Sequence, residues 1–370
     1  MRHGLRTLGR LFAATLVLAL LGTAVAGVTG LLIGDRPARA QQTERAQQAQ
    51  PPGAGEATAG PSRLDDAEVW RAVRRGVQGY VAIPDRNAGV LVQSTGESWR
   101  NVRNGPVSTW GAWLILGTLA LVALFFAIRG RIRIEHGRSG FTIERFTGLD
   151  RFTHWLTAFS FVLLALTGLN MLYGRYVLRP LIGPEAFTAV TLGGKYIHNY
   201  LAFAFMVGIV LMFVLWVRYN LPNRHDFRWL AKGGGMFQRG VHPPADKFNA
   251  GQKLIFWITI LGGISVSLSG IMLMWPFRFS FFAGTFGFLN ALGFGLPTDL
   301  LPIQEMQLAQ AWHAILGLVL IAVIIAHIYL GTVGMEGAFD AMGRGRVDEN
   351  WAREHHELWV AELEGRKAQG

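Results

Sequence analysis

Between Ala311 and Val333 the chain runs AWHAILGLVLIAVIIAHIYLGTV, without one charged side chain and with two histidines. A stretch of that length and apolarity is enough to cross the hydrocarbon core of a bilayer as a helix. His313 and His327 lie fourteen residues apart, which at 100° per residue falls about 40° short of four full turns. Both rings therefore project from nearly the same face, separated by roughly 21 Å along the axis. One imidazole belongs near each side of the membrane. Ionisable side chains at such depth are costly and mark a function.

The rest of the chain fits a membrane protein. Of its 370 residues, 51% are hydrophobic and only 16% charged, fewer charges than a soluble domain carries. The net charge of +11 is not that of a nucleic-acid binder, because the basic residues gather in short loops between apolar stretches. The chain has no cysteine. That excludes disulfides, thiolate-held iron–sulfur clusters and covalently attached haem.

Residues 1–40 read as a secretory signal. Arg2, Arg6 and Arg10 precede an apolar body from Leu11 to Ile33, and Ala38-Arg39-Ala40 forms a cleavage site. An uncleaved anchor is the alternative, and either places residue 41 outside the cytoplasm. Residues 41–62 are low in complexity and expected to be disordered. An amphipathic helix is expected from Arg63 to Gln78. The remainder of the exported segment, to residue 109, carries the turn signals IPDRNAG, STGES and RNGP and reads as a small subdomain with one hairpin.

Five transmembrane helices follow: Trp110 to Ile128, His154 to Leu172, His198 to Val217, Leu254 to Trp275, and the two-histidine helix. The first is an extra helix, at 110–129. The other four form a bundle over 141–345, and a tail occupies 346–370. Loop charge sets the topology. Arg129, Arg131, Arg133, Arg138, Arg145 and Arg151 follow the first helix, and a comparable set including Arg218, Arg224, Arg228, Lys247 and Lys253 follows the third. Those loops and the tail are expected in the cytoplasm. The opposite loops hold only Arg175, Arg179 and Lys195 in one, and Arg278 in the other.

This topology sorts the histidines by depth. His198 and His313 share the periplasmic side, and His154 and His327 the cytoplasmic side. Each pair offers two imidazoles from two helices, which is what a haem with two axial histidines requires. The expected ligands are His198 with His313 for one haem b iron and His154 with His327 for a second. Gly168, Gly208, Gly270, Gly317 and Gly331 are small enough to line slots for the macrocycles, although glycines in membrane helices more often serve helix packing. His136, His225, His242, His355 and His356 fall in polar loops or the tail and are expected to be solvated. Trp110, Trp155, Trp216, Trp257 and Trp275 read as interfacial aromatics.

Six segments, in order, carry a resemblance: RFTHW (151–155), KYIHNYLAF (195–203), RYNLP (218–222), KFNAGQKLIFW (247–257), WHAILG (312–317) and AHIYLGT (326–332). Together with the tail GRVDENWAREHHELW they resemble the gamma subunit of membrane-bound respiratory formate dehydrogenase, in its longer form. The resemblance covers about residues 141–363. It implies an all-α integral membrane protein of the bacterial inner membrane, a four-helix di-haem cytochrome b bundle with an additional N-terminal transmembrane helix and a small periplasmic segment. It implies a catalytic subunit with a molybdenum or tungsten pterin and an iron–sulfur subunit, both facing the periplasm. Electrons from formate would pass through two haems b to a quinone on the cytoplasmic side, so this chain would not itself oxidise formate.

The resemblance also places a quinone site at Asn249, Gly251 and Gln252. Asn and Gln amides supply the donors that a quinone carbonyl accepts from, and glycine allows close approach. The plain alternative is a helix start with Asn249 as its N-cap. Two other classes stay open for the whole chain: the cytochrome b subunit of a nickel–iron hydrogenase or sulfur-compound reductase, and a non-haem channel or metal transporter with intramembrane histidines.

Overall fold

The computed structural model describes residues 94–238 and 240–368. The expected signal, the low-complexity segment and the helix from Arg63 to Gln78 lie outside them. Among the described residues the regular structure is helical apart from one short two-stranded ribbon, and the chain forms two compact units. Five helical stretches are long and apolar enough to cross a membrane. The protein is a multi-pass membrane protein, and its fold class is all-α.

The larger unit holds residues 108–274 and 313–368. Its helices are α2 (Ser108–Arg129), α3 (Gly148–Val177), α4 (Arg179–Trp216), α5 (Arg224–Ala231), α6 (Ala250–Met274), most of α8 (Pro302–Tyr329), α9 (Ala338–Gly343), α10 (Glu349–His355) and α11 (Glu357–Lys367). The start of α3 is fixed by a reciprocal cap. Asp150 N–H donates to Thr147 Oγ1 at 3.2 Å, and Thr147 N–H donates to Asp150 Oδ2 at 2.9 Å. α4 starts nineteen residues before the expected His198, with a kink where Gly183 takes φ 79° ahead of Pro184. Glycine tolerates that left-handed conformation and proline then restarts the helix.

The spans pack through small residues. A Cβ on Gly262 of α6 would lie 2.8 Å from Leu320 of α8, and one on Gly263 2.7 Å from Ile209 of α4. Such close backbone approach is how helices associate in lipid, where apolar burial gives no driving force. α2 joins the bundle through Gly111, whose absent Cβ makes room for Leu318 and the Tyr173 hydroxyl. Its other side chains, such as Trp110, Leu121 and Ile128, are exposed, as expected of a lipid-facing helix.

The best-buried apolar cluster lies at one end of the bundle. Phe205, Ile209, Met212 and Trp216 of α4 and Phe256 and Ile260 of α6 meet Phe146, Phe248, Val347, Trp351, Ala352, Trp359 and Val360. The expected tail is therefore a folded cap. Its strand β2 (Arg346–Asp348) pairs antiparallel with β1 (Thr142–Glu144), Ile143 opposite Val347. Asp348 caps α10, accepting from Asn350 N–H at 3.0 Å and Trp351 N–H at 3.4 Å. Trp155 Nε1 donates to Met342 O at 3.0 Å, tying the cap to α3. Trp216 is buried with Nε1 2.6 Å from Asp150 Oδ1, so it is a core residue rather than an interfacial one.

The smaller unit contains residues 94–107 and 275–312. α1 (Ser94–Val102) runs into a π-helical turn at Arg103–Val107. The turn signals STGES and RNGP are thus helical here, while IPDRNAG and the rest of the expected hairpin region up to residue 93 lie outside the described residues. Pro106 sits in the π turn, a wider winding that accommodates a residue without an N–H. α7 (Phe281–Ala291) lies where only a loop was expected. Its free N-terminal N–H groups are met by buried Glu305, which accepts from Phe282 at 3.0 Å and Ala283 at 2.7 Å.

Candidate functional site

All four intramembrane histidines meet in the pairs that their depths suggest. The His198 and His313 rings have centroids 6.1 Å apart at an interplanar angle of 64°. The His154 and His327 rings stand 6.3 Å apart at 53°. With metal–imidazole bonds of about 2 Å and a ring radius of about 1.1 Å, two imidazoles on opposite sides of one metal have centroids about 6 Å apart. Both pairs fit that requirement. α8 supplies one ring to each, α4 the second ring of one pair and α3 the second ring of the other.

Hydrogen bonds fix the tautomer at the 198/313 pair. Thr167 Oγ1 donates its only proton to Leu163 O at 2.8 Å or Leu164 O at 3.0 Å. With that proton on a carbonyl, the hydroxyl accepts from His198 Nδ1, 2.8 Å away. His313 Nδ1 lies 3.1 Å from Val266 O and 3.0 Å from Ser269 Oγ. A carbonyl accepts only, so Nδ1 carries the proton here as well. In both rings Nε2 is left with a lone pair for a metal, and the outer hydrogen bond makes that nitrogen more basic. The other pair differs: His154 Nδ1 is buried with no protein partner among the described residues.

The five glycines serve unequal roles. Gly168 and Gly270 lie under the histidines, with a Cβ 3.5 Å from His198 Cε1 and 3.3 Å from His313 Cε1. Gly208 lies against the Thr157 hydroxyl, a helix-packing position. A Cβ on Gly317 or Gly331 would meet no atom within 4 Å. Each stands four residues after a histidine of α8, on the same face. Both positions open onto space that no protein atom fills.

Asn249 and Gln252 form a reciprocal cap at the start of α6. Gln252 N–H donates to Asn249 Oδ1 at 2.9 Å, and Asn249 N–H donates to Gln252 Oε1 at 3.0 Å. The helix-start reading is thus realised. It uses the two side-chain oxygens and leaves both NH2 groups as donors. Gly251 faces the Trp229 indole, with a Cβ 2.9 Å from the ring. Lys253 is buried in the same turn and pairs with Asp226 at 2.9 Å.

The expectation of solvated tail histidines fails for two residues. His356 is fully buried, with Nδ1 2.7 Å from Asp246 O. His355 has its Nε2 shut off from the surface. Beside them Arg145, one of the expected loop cations, is also buried. Its Nη2 donates to Lys247 O at 2.6 Å and Gln252 Oε1 at 3.4 Å. Sequence reasoning missed this cluster because its members come from three segments more than a hundred residues apart. The adjacent histidines beside two tryptophans in WAREHHELW were the available signal. His136 is exposed, as expected.

The sequence pattern described as prokaryotic cytochrome b561 matches residues 145–345. The cytochrome b556(Fdn) subunit of the nitrate-inducible formate dehydrogenase of Escherichia coli K12 is 28% identical over 231 residues, which cover 61% of this chain and 94% of that protein. The cytochrome b556(fdo) subunit of formate dehydrogenase from the same organism is 27% identical over 223 residues, 60% of this chain and 93% of that one. The formate dehydrogenase cytochrome b556 subunit of Haemophilus influenzae is 26% identical over 216 residues, 57% of this chain and 79% of the relative.

Proposed function

Because the chain belongs to the prokaryotic cytochrome b561 family, we propose that it is the membrane cytochrome b subunit of a formate dehydrogenase, passing electrons from periplasmic formate oxidation to the quinone pool. The names of its relatives support the formate assignment. The observation that carries the electron-transfer reading is the pair of ring separations, 6.1 and 6.3 Å, at two levels of one helix.

His198 and His313 would hold one haem b, and His154 and His327 a second. Bound haem supplies one-electron chemistry at each level. The chain's own part is to offer four neutral imidazoles, two of them oriented by helix hydroxyls and a carbonyl. At the 154/327 end the NH2 groups of Asn249 and Gln252 would donate to a quinone carbonyl, near Gly251.

The assembly follows from the same reading. A molybdenum- or tungsten-pterin subunit oxidises formate, and an iron–sulfur subunit conducts its electrons to the 198/313 end, so this chain does not itself oxidise formate. It sits in the bacterial inner membrane. Residues 1–40 act as the signal, 41–109 lie in the periplasm, 110–129 form the extra span, 141–345 the haem-bearing bundle and 346–370 the cytoplasmic cap. Placing the quinone opposite the catalytic subunit makes turnover electrogenic, worth about 2.3 kcal/mol per charge per 100 mV.

The test is turnover of the purified complex after Asn249→Ala. Formate-to-quinone activity should fall, while formate-to-dye activity and haem content stay at the parent level. Normal quinone turnover in both Asn249→Ala and Gln252→Ala would remove the quinone site. Loss of haem in these variants would return the segment to a purely structural role. Subunits other than a formate-oxidising pair in the purified complex would remove the formate assignment.

A further inference from the structure

Polar atoms that a folded protein does not leave bare gather behind the start of α6. Arg145 is 3% exposed, and among the described residues no carboxylate pairs with it. Its guanidinium lies 5.2 Å from the centroids of Trp351 and Trp359 and 5.3 Å from that of Phe146. Its Nε and Nη1 are buried without a protein partner, and so are Trp351 Nε1, His355 Nε2 and His356 Nε2. The His355 and His356 rings are centred 5.2 and 5.3 Å from that of Trp351, so the five nitrogens share one neighbourhood. Buried polar groups are rarely unsatisfied in native proteins. A polar site of this kind is satisfied by bound water, each molecule held by two to four such groups.

The neighbourhood has two ends. Outward lies a surface cavity of about 400 Å3 lined by His136, His242, Asn350, Arg353, Glu354 and Glu357. The His242 ring is centred 5.8 Å from that of His355, and its Nε2 is 2.8 Å from Glu135 Oε2. Glu354 meets His136 Nδ1 at 3.0 Å. Inward, Arg145 Nη2 reaches Gln252 Oε1, and Gln252 is locked to Asn249.

The charge states suit transit. Burial, then the neighbouring His242 and Arg145, lower His355 to about 4 against the opposing pull of Glu354. Burial and Arg145 hold His356 well below its ordinary value. Burial brings Arg145 down to about 9, so it stays cationic at neutral pH. Both imidazoles are neutral there, and neither retains a proton passing by. His356 donates from Nδ1 to the Asp246 carbonyl, which leaves Nε2 as an acceptor for water.

We propose that the line from the cavity at His242 and Glu354, past His355, His356 and Arg145, to Gln252 and Asn249 is a hydrated proton-uptake route serving quinone reduction. It rests on the quinone reading above. Quinone takes two electrons from the cytochrome and two protons from the aqueous cavity, and leaves as quinol. Each proton given up to a quinone oxygen is replaced from solvent through the Glu135–His242 pair. The Arg145 cation favours negative charge on the quinone oxygen before the proton arrives. The charged and titratable groups around the line include Glu135, His136, His242, Arg353, Glu354 and Glu357 at the mouth, Asp246 beside His356, Lys247 next to Phe146, and the Lys253–Asp226 pair in the turn of Gln252.

The experiment uses the intact complex in lipid with a short-chain quinone, over pH 6 to 8.5. His355→Asn and His242→Gln should keep parental haem content and parental haem reduction by formate without quinone. Their quinol formation at pH 8 should be roughly a hundredfold slower, the low end of what one proton-transfer group contributes. The defect should shrink at pH 6, and added imidazole should partly rescue it. A merely structural role would not give that pH profile or that rescue. If His355→Asn loses haem, His242→Gln at the surface decides. Parental turnover and pH profile in the histidine variants, with Asn249→Ala inactive on quinone, would overturn the route and leave the quinone site standing. Parental turnover in Asn249→Ala and Gln252→Ala as well would overturn both.

Discussion

The two histidine pairs are alike in separation and unlike in surroundings. At the 198/313 end, Thr167, Ser269 and the Val266 carbonyl take the Nδ1 protons. At the 154/327 end, His154 Nδ1 has no protein partner among the described residues, and a polar cap closes over the helix ends instead. A proton-accepting partner at Nδ1 makes Nε2 a stronger donor to iron. A stronger donor favours the oxidised metal and lowers its potential. If each pair holds a haem as proposed, that difference would set a downhill direction, from the 198/313 level toward the proposed quinone end. One helix period places both pairs, but their neighbours make them unequal.

The largest expected effect tests whether the pairs are separate at all. His313→Ala and His154→Ala should each remove one of two haems b per chain, read from haem absorbance per protein. Retention of both haems, or loss of both with the fold intact, would break the pairing. Next come the two open glycines. Gly317→Phe should lower haem occupancy only at the 198/313 level and Gly331→Phe only at the 154/327 level, by filling the clearance four residues from each ligand. Gly208→Ala, which drives a methyl into Thr157, should instead destabilise the α3–α4 contact by about 1–3 kcal/mol. It should not favour either level, as thermal unfolding with haem absorbance as the signal would show.

Subtler still is the potential difference. Thr167→Val removes the hydroxyl partner of His198, and Ser269→Ala one of the two partners of His313, whose contact with the Val266 carbonyl stays; neither touches a ligand. Outer partners change metal affinity about 10–100-fold, and tenfold is about 59 mV for a one-electron couple. The 198/313 potential should rise by roughly that amount while the 154/327 potential stays fixed, as redox titration would show. Equal shifts at both levels, or none, would remove the account of direction.

What the sequence made legible is what a single helix period controls. The apolar spans, the depth of each histidine and their matching in pairs follow from spacing and loop charge. The Gly-Pro at 183–184 hid the first nineteen residues of α4, because that signal more often ends a helix than kinks it. The cap was invisible for another reason. Arg145 reaches Lys247, His356 reaches Asp246, and Val347 pairs with Ile143, contacts between segments whose local patterns say only loop and tail. A charged residue before a helix reads as a topology signal, and nothing local says that Arg145 is buried.

A last expected effect separates the cap from the bundle by pH. His355 is lowered to about 4 and His356 is also lowered, in both cases chiefly by burial. With the cap unfolded, each would titrate near 6.5. The unfolded cap therefore binds more protons between those values, and its stability rises with pH across that window. The contribution is whole above about 6.5 and drains as pH falls toward 4. Hydrogen exchange over residues 346–360, corrected for the intrinsic rate, should show about twentyfold less protection at pH 5 than at pH 7 from His355 alone, and more with His356. Residues 205–212 of α4 carry no titratable side chain and should keep theirs. Equal protection of the cap at both pH values would mean that its histidines are not held neutral by burial, and the two ends of the bundle would differ less than their contacts imply.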